Sequence, residues 1–327
     1  MRVRVTRQGL KMTRSPNAAP VLHRDLDIPL RGQRPEAMIV LGPGAYVRAD
    51  EWSDLFIDGR LRTRAAAVDA RLVDERGAFG YTTALAIHDI PVLGGRDDRV
   101  DYIVGDTCGR HNARDVRRRH ELLPAADVVI VGGFRVTTLE RAIYDVIRLG
   151  SLEMAVVAFD AALYRTAWNE ADNSYDERAA EVVRSRVLRR IREHSGARGI
   201  RQARFVAAFA DGRARLPGES LLRLRLWQFG VLDAVPQYRV DFEGARYALL
   251  DLALPAWGRW LEFDGAVKYS DDEMLADRTA QQTLADQARR QAAIERVTGW
   301  RCDRAVWADV LTLDGFARFR RSIALYA

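Results

Sequence analysis

Between Pro217 and Leu325 the sequence reads as one unbroken order of elements, and that order leaves few ways to fold. Glu219 to Phe229 has helical spacing and is closed by Gly230. Gln237 to Asp241 and Tyr247 to Ala253 read as strands joined across Glu243-Gly244, and Arg259 to Phe263 is a third strand ended by Asp264-Gly265. A long helix from Met274 to Val297 stops at Gly299, Trp300 to Val306 is a fourth strand, and Ala308 to Leu325 is a closing helix. The sum is an α/β C-terminal domain of order αβββαβα. Consecutive strands are usually neighbours, so the second and third strands are expected side by side.

Each of those two strands carries a carboxylate inside an apolar run: Asp251 in Leu-Leu-Asp-Leu and Glu262 in Trp-Leu-Glu-Phe. Acidic oxygens on adjacent strands can share one hard cation. Strand alternation puts Asp264 on the face of Glu262, which makes it a third candidate ligand, and Glu219 at the head of the preceding helix can point over the same edge. Lys268 follows close behind. It is one of only two lysines among 51 basic residues, the other being Lys11. A lysine is a compact point charge that can lose its proton, which arginine does not do readily. Three acids, a divalent ion (Mg²⁺ or Mn²⁺) and an ammonium group suit phosphodiester hydrolysis, in which the metal activates water and offsets charge on phosphorus. The plainer alternative is that Asp251 and Glu262 cap strand ends or pair with Arg246 and Arg259.

The remaining sequence sets the context. A chain of 327 residues with 48% hydrophobic and 29% charged residues has ample core for two or three domains. Its net charge of +6 makes nucleic acid a natural partner. The arginines gather in two places: Arg110, Arg114, Arg117, Arg118 and Arg119, then Arg184 to Arg204, including Arg189, Arg190 and Arg201. Each cluster is either a phosphate-binding surface or a solvated helix face. Cys108 and Cys302 match no metal spacing and suggest a reducing, cytoplasmic setting. The five histidines are scattered, which argues against zinc. No apolar run is long enough to span a bilayer.

Residues 1–35 lack the apolar centre of a secretory signal and read as a flexible leader. In 36–105, Met38 to Leu41 and Ala45 to Val47 flank a Gly-Pro-Gly turn, Leu61 to Glu75 and Tyr81 to Ile87 read as helices, and Val100 to Val104 as a strand. A hairpin followed by compact helices suits a winged-helix-like module. In 106–216, Val128 to Val131 and Phe134 to Val136 form a hairpin around Gly132-Gly133. Thr137 with Glu140 reads as a capping box opening Leu139 to Leu149, and Ser151 caps a helix to about Arg165. Trp168 to Asp176 reads as a loop, Glu177 to Glu193 as a basic helix, and Ile200 to Ala210 as a short one. These segments make a winged-helix-like and helical α+β region. Pro217-Gly218 marks the expected boundary before the C-terminal domain, 217–327.

The C-terminal motifs, Pro-Gly-Glu219-Ser, Asp251-Leu-Ala-Leu-Pro255, Glu262-Phe-Asp-Gly265 with Lys268-Tyr269, and Trp300-Arg…Val306-Trp307-Ala-Asp309, resemble the PD-(D/E)xK nuclease superfamily, in its very-short-patch-repair (Vsr-like) branch. The resemblance implies a restriction-endonuclease-like fold and a Mg²⁺-dependent DNA endonuclease, with Asp251, Glu262, Lys268, Asp264 and Glu219 at its centre. Two positions depart from the pattern. The superfamily lysine sits two residues after the acid, where this chain has Asp264. The long helix carries Asp286-Gln287-Ala-Arg289 where Glu-Lys-x-Arg is expected. Residues 40 to 210 resemble AbiEi-type antitoxins through Tyr81-Thr-Thr-Ala-Leu-Ala-Ile-His88, the Gly-Gly hairpin and Val136-Thr-Thr-Leu-Glu-Arg-Ala142. That resemblance implies a DNA-binding repressor acting in toxin–antitoxin or phage defence. Its expected partners are double-stranded DNA and a cognate toxin, with the chain itself as a homo-oligomer.

Overall fold

The computed structural model describes residues 4–6, 9–11, 21–22, 38–72, 76–94, 99–105, 112–244, 246–265 and 273–326. Lys268, Cys108, Arg110 and most of the expected leader lie outside the described residues. The protein is mixed α/β, with eleven α-helices and five β-sheets among the described residues. It divides into two compact units, Met1–Ala210 and Asp211–Ala327. No helix among the described residues is long and apolar enough to cross a membrane.

In the first unit, β1 (Arg4–Thr6) pairs antiparallel with β2 (Gly9–Lys11). β3 (Val21–Leu22) adds to β5 (Ala45–Arg48), which pairs with β4 (Met38–Gly42). Leu41, Ala45 and Val47 of that sheet pack with Trp52 of α1 (Ala49–Ser53) and Ala67 of α2 (Ile57–Asp69). Arg60 and Arg64 lie over the Trp52 ring, at 5.3 and 5.0 Å from its centre. Next come β6 (Ala78–Phe79), α3 (Tyr81–Ile87) and β7 (Val100–Val104). β8 (Val116–His120), β9 (Val128–Val131) and β10 (Phe134–Thr137) complete a five-stranded mixed sheet of order β8-β7-β6-β10-β9. Gly132 and Gly133, with φ of 57° and 89°, make the tight turn between β9 and β10.

The helices α4 (Leu139–Leu149), α5 (Leu152–Ala167), α6 (Glu177–Glu193) and α7 (Ile200–Phe209) pack on one another. Several expectations are corrected here. Thr138, not Thr137, caps α4, and its hydroxyl accepts from the Arg141 amide. Thr137 is instead the buried last residue of β10. The expected loop at Trp168 to Asp176 holds a miniature hairpin of β11 (Trp168–Asn169) and β12 (Ser174–Tyr175), turned by Asx-type bonds from Asn169 and Asp172. Arg117 to Arg119 sit on strand β8, so they are not a helix face.

In the second unit α8 (Pro217–Gln228) has Pro217 in its first turn, where a missing N–H costs nothing. β13 (Val235–Asp241), β14 (Tyr247–Leu254) and β15 (Arg259–Phe263) form an antiparallel run. The chain then crosses through α9 (Glu273–Thr298) to β16 (Arg301–Ala305), which lies parallel to β15. Val240, Leu250, Ala253 and the fully buried Trp260 pack against Ile294 of α9. The expected closing helix is two: α10 (Trp307–Val310) and α11 (Leu313–Ser322). They part because the Thr312 hydroxyl caps the Gly315 amide and starts a new helix. Arg225, fully buried in α8, donates to the Val310 and Leu311 carbonyls at 2.9 and 3.0 Å. Those are the free acceptors at a helix end, and the contact ties α10 to α8.

Candidate functional site

The site is built where the sheet of the second unit stops being regular. β14 pairs β15 from Leu254↔Arg259 to Leu252↔Leu261. Continuing that register by one residue sets Asp251 opposite Glu262. On its other side β14 pairs β13 through Pro236↔Leu252 and Tyr238↔Leu250, which sets Gln237 opposite Asp251. β15 and β16 run parallel with Glu262 beside Arg304. Gln237, Asp251, Glu262 and Arg304 thus form a transverse row over four strands. Gln237 has φ of 49°, a left-handed conformation that a non-glycine residue in a strand rarely adopts.

Asp251 is positioned by the backbone: the Phe263 N–H donates to its Oδ2 at 3.1 Å. Glu219 reaches the row from the first turn of α8 and is only 4% exposed. Its Oε2 accepts from the Arg215 amide at 2.9 Å and lies 3.5 Å from the Gln237 side-chain nitrogen. Gly218 brings α8 down onto β15, since a Cβ there would fall 2.1 Å from the Phe263 ring. A side chain at 218 would lift Glu219 off the row.

Burial first, and then the charge of Glu262, push the Asp251 carboxyl up to about 6. Burial and then the charge of Asp251 push Glu219 well above the usual carboxylate range. Glu262 is held differently. Arg290 of α9 donates to its Oε1 at 2.5 Å and also to the Leu249 carbonyl at 2.6 Å. Arg304 lies 3.2 Å from Oε2 and contacts both oxygens of Asp264 at 3.2 and 3.3 Å. The alternative pairings with Arg246 and Arg259 are not made: Arg259 binds Asp303 at 2.8 Å and the Ile323 carbonyl, and Arg246 donates to the Glu243 carbonyl.

The structure therefore brings Glu219, Asp251 and Glu262 into one electrostatic cluster. Asp264 sits at its exposed rim, and Lys268 is outside the described residues. Arg290, Arg304 and Gln237 were not singled out in the sequence. Arg304 lay in a recognised strand, but its parallel register against Glu262 is set by a 26-residue helical crossover. Among the described residues no three His, Cys, Asp or Glu side chains gather closely enough to hold a metal ion as they stand. The donor set nonetheless fits a hard divalent cation. All donors are oxygens, and Asp251 and Glu219 each show one carboxylate oxygen without a hydrogen bond among the described residues. Their mutual repulsion is what a cation would relieve.

The arginine clusters separate clearly. In β8, Arg117 and Arg119 turn to the buried Asp101 at 3.5 and 3.0 Å, and Arg119 also covers the Tyr81 ring. Arg118 is half-buried, with its amide bonded to Asn112. In α6, Arg190 is an ion-pair partner of Asp127 and Arg186 of Glu140. Arg189 and Arg192 on α6, and Arg201 and Arg204 on α7, are exposed. Of the expected DNA-contacting residues, Arg189 and Arg201 are exposed, while Arg117, Arg119 and Arg190 pair with acids of the protein itself. No protein-family model matches the chain, and no curated protein matches it either.

Proposed function

We propose that residues 211–327 form a restriction-endonuclease-like domain that cuts DNA with a divalent cation, and that the first unit, with its winged-helix-like hairpin and exposed arginines, holds the duplex. The observation that supports this most is the placement of Asp251, an acid pinned by a backbone amide between Glu219 and Glu262 and raised toward neutrality by both burial and its neighbour. Groups perturbed in this way concentrate at functional sites. Asp251 and Glu219, with Glu262, are the residues that would hold Mg²⁺ or Mn²⁺. When bound, the cation supplies a nucleophilic water at neutral pH and charge relief at phosphorus. The protein's own part is to fix the carboxylates before substrate arrives, through the Phe263 amide, the Arg215 amide and the Gly218–Phe263 contact.

The purified chain is expected to nick supercoiled plasmid in Mg²⁺ or Mn²⁺ and to do nothing in EDTA. Wild-type protein that binds duplex DNA but leaves plasmid intact in both metals would remove the enzymatic reading. A second reading then stands, favoured by one observation: guanidinium groups already occupy both oxygens of Glu262. In that reading the domain is a scaffold and the chain an AbiEi-like repressor or antitoxin. It predicts that Arg189→Ala and Arg201→Ala each lower the salt slope of operator binding by about 1, the effect of one lost phosphate contact. Unchanged slopes in a filter-binding titration would exclude those two residues from the interface.

A further inference from the structure

Glu262 is held by two arginines from different elements, and each has a second hold. Arg290 spans from α9 to the Glu262 carboxylate and the Leu249 carbonyl of β14, while Arg304 joins Glu262 to Asp264 from β16. Each guanidinium takes a different oxygen of the same carboxylate, so a cation approaching Glu262 meets two positive groups already in place. Both arginines keep a solvent-facing part, with side chains 42% and 32% exposed. Neither is locked in as Arg225 is. Arg304 loses charge stability to burial but regains more from Glu262 and Asp264, so its ordinary partner is this acid pair.

We propose that Arg290 and Arg304 exchange partners: they neutralise Glu262 and Asp264 in the metal-free protein, and on cation binding they turn outward to take the phosphates of DNA beside the cut. The inference rests on the nuclease reading above and adds to it the identity of the cationic groups at that site. Its physical basis is competition for Glu262. Guanidinium and divalent cation both seek its oxygens, and a guanidinium released from Glu262 is left at the exposed rim of the cluster with one acidic partner fewer. Planar, forked donors suit phosphate oxygens as well as carboxylate oxygens. Metal and DNA should therefore bind cooperatively, because each favours the arrangement the other needs.

The test uses the full chain and two probes, Mn²⁺ alone and a phosphorothioate duplex that resists cleavage. By calorimetry, Arg290→Gln and Arg304→Gln should each bind Mn²⁺ about 10-fold more tightly than wild type, the equivalent of roughly one strong charge pair. Arg290→Lys, which keeps the charge, should change less. By fluorescence anisotropy, wild type should bind the duplex more tightly with Mn²⁺ than without, and the Gln variants should lose most of that Mn²⁺-dependent gain. Mn²⁺ affinity that is unchanged or weaker in Arg290→Gln overturns the exchange, and so does a Mn²⁺-dependent gain in DNA affinity that both Gln variants retain. If wild type binds no Mn²⁺ and nicks nothing, the nuclease reading fails along with the exchange. If wild type binds and nicks while the variants match it in both assays, only the exchange fails.

Discussion

Asp251→Asn is expected to give a more stable protein and, on the nuclease reading proposed above, to abolish nicking. The folded Asp251 carboxyl, with Glu219 and Glu262 as its acidic neighbours and Arg290 and Arg215 as its basic ones, is pushed up to about 6 from an ordinary 3.8. A carboxyl raised by folding binds more protons in the native state than in the unfolded one. Stability is therefore lost as pH rises from about 4 to about 6, and the loss persists above. Asparagine keeps an oxygen for the Phe263 amide and carries no charge. At pH 8 without metal the variant should gain on the order of 3 kcal/mol, and at pH 4 almost nothing. Hydrogen exchange of the β14 amides reads this locally, independent of the first unit. Mg²⁺ should slow exchange in wild type by mass action and leave the variant unchanged. Nicking should fall by about 10³-fold or more, the scale of losing one preorganised charged group. A variant that exchanges faster than wild type at pH 8 would show that Asp251 is well compensated as it stands, and would remove the main support for a cation there.

The largest loss of stability is expected at Arg141, in the first unit. Its guanidinium binds Asp145 at 2.7 Å, Asp127 at 3.2 Å and Glu121 at 2.8 Å, and it also takes the Leu122 carbonyl at 3.1 Å. Asp145 is 0% exposed, and burial raises it to about 6 even with Arg141 beside it. Around the same network, the Tyr81 hydroxyl donates to Glu121 and Arg190 pairs with Asp127. Arg141→Ala leaves Asp145 with Arg148 at 3.6 Å as its remaining ion-pair partner among the described residues. Removing one side of a buried ion pair costs about 3–5 kcal/mol, because the other charge stays behind without compensation. Denaturant unfolding at pH 8 should show that loss. At pH 5 the loss should be smaller, since Asp145 takes up a proton below its folded value. Replacing both partners, Arg141→Met with Asp145→Leu, should recover most of the stability. A single Arg141→Ala loss under about 1 kcal/mol would mean the network is mutually compensated without its centre.

What could be read from the sequence followed the range of the signals that specify it. The helices Leu139–Leu149 and Glu177–Glu193 and the strands Val100–Val104 and Arg259–Phe263 match expectation to the residue, because glycines and apolar spacing act within a few positions. β8 was missed because Val-Arg-Arg-Arg-His at a sheet edge shows no apolar alternation. Its arginines alternate instead toward Asp101. β6 is two residues long and has no pattern to find. At the site, Asp251 and Glu262 were recognisable as acids inside apolar strands, and Glu219 by its place at a helix start. Arg290 was not, since 28 residues separate it from Glu262 and only the packing of α9 on the sheet unites them. Gln237 became visible only through its left-handed backbone and its place opposite Asp251.

The Phe263 amide decides how Asp251 can serve a ligand. With one lone pair of Oδ2 taken by the backbone, Oδ1 is the freer oxygen, so on the nuclease reading the carboxylate would favour contact with a cation through a single oxygen. Calcium is best satisfied by many oxygens and by chelating carboxylates, whereas magnesium accepts single oxygens and retains its waters in an octahedron. On the nuclease reading, a peptide N–H inside the sheet would thereby favour the smaller ion before any substrate has arrived.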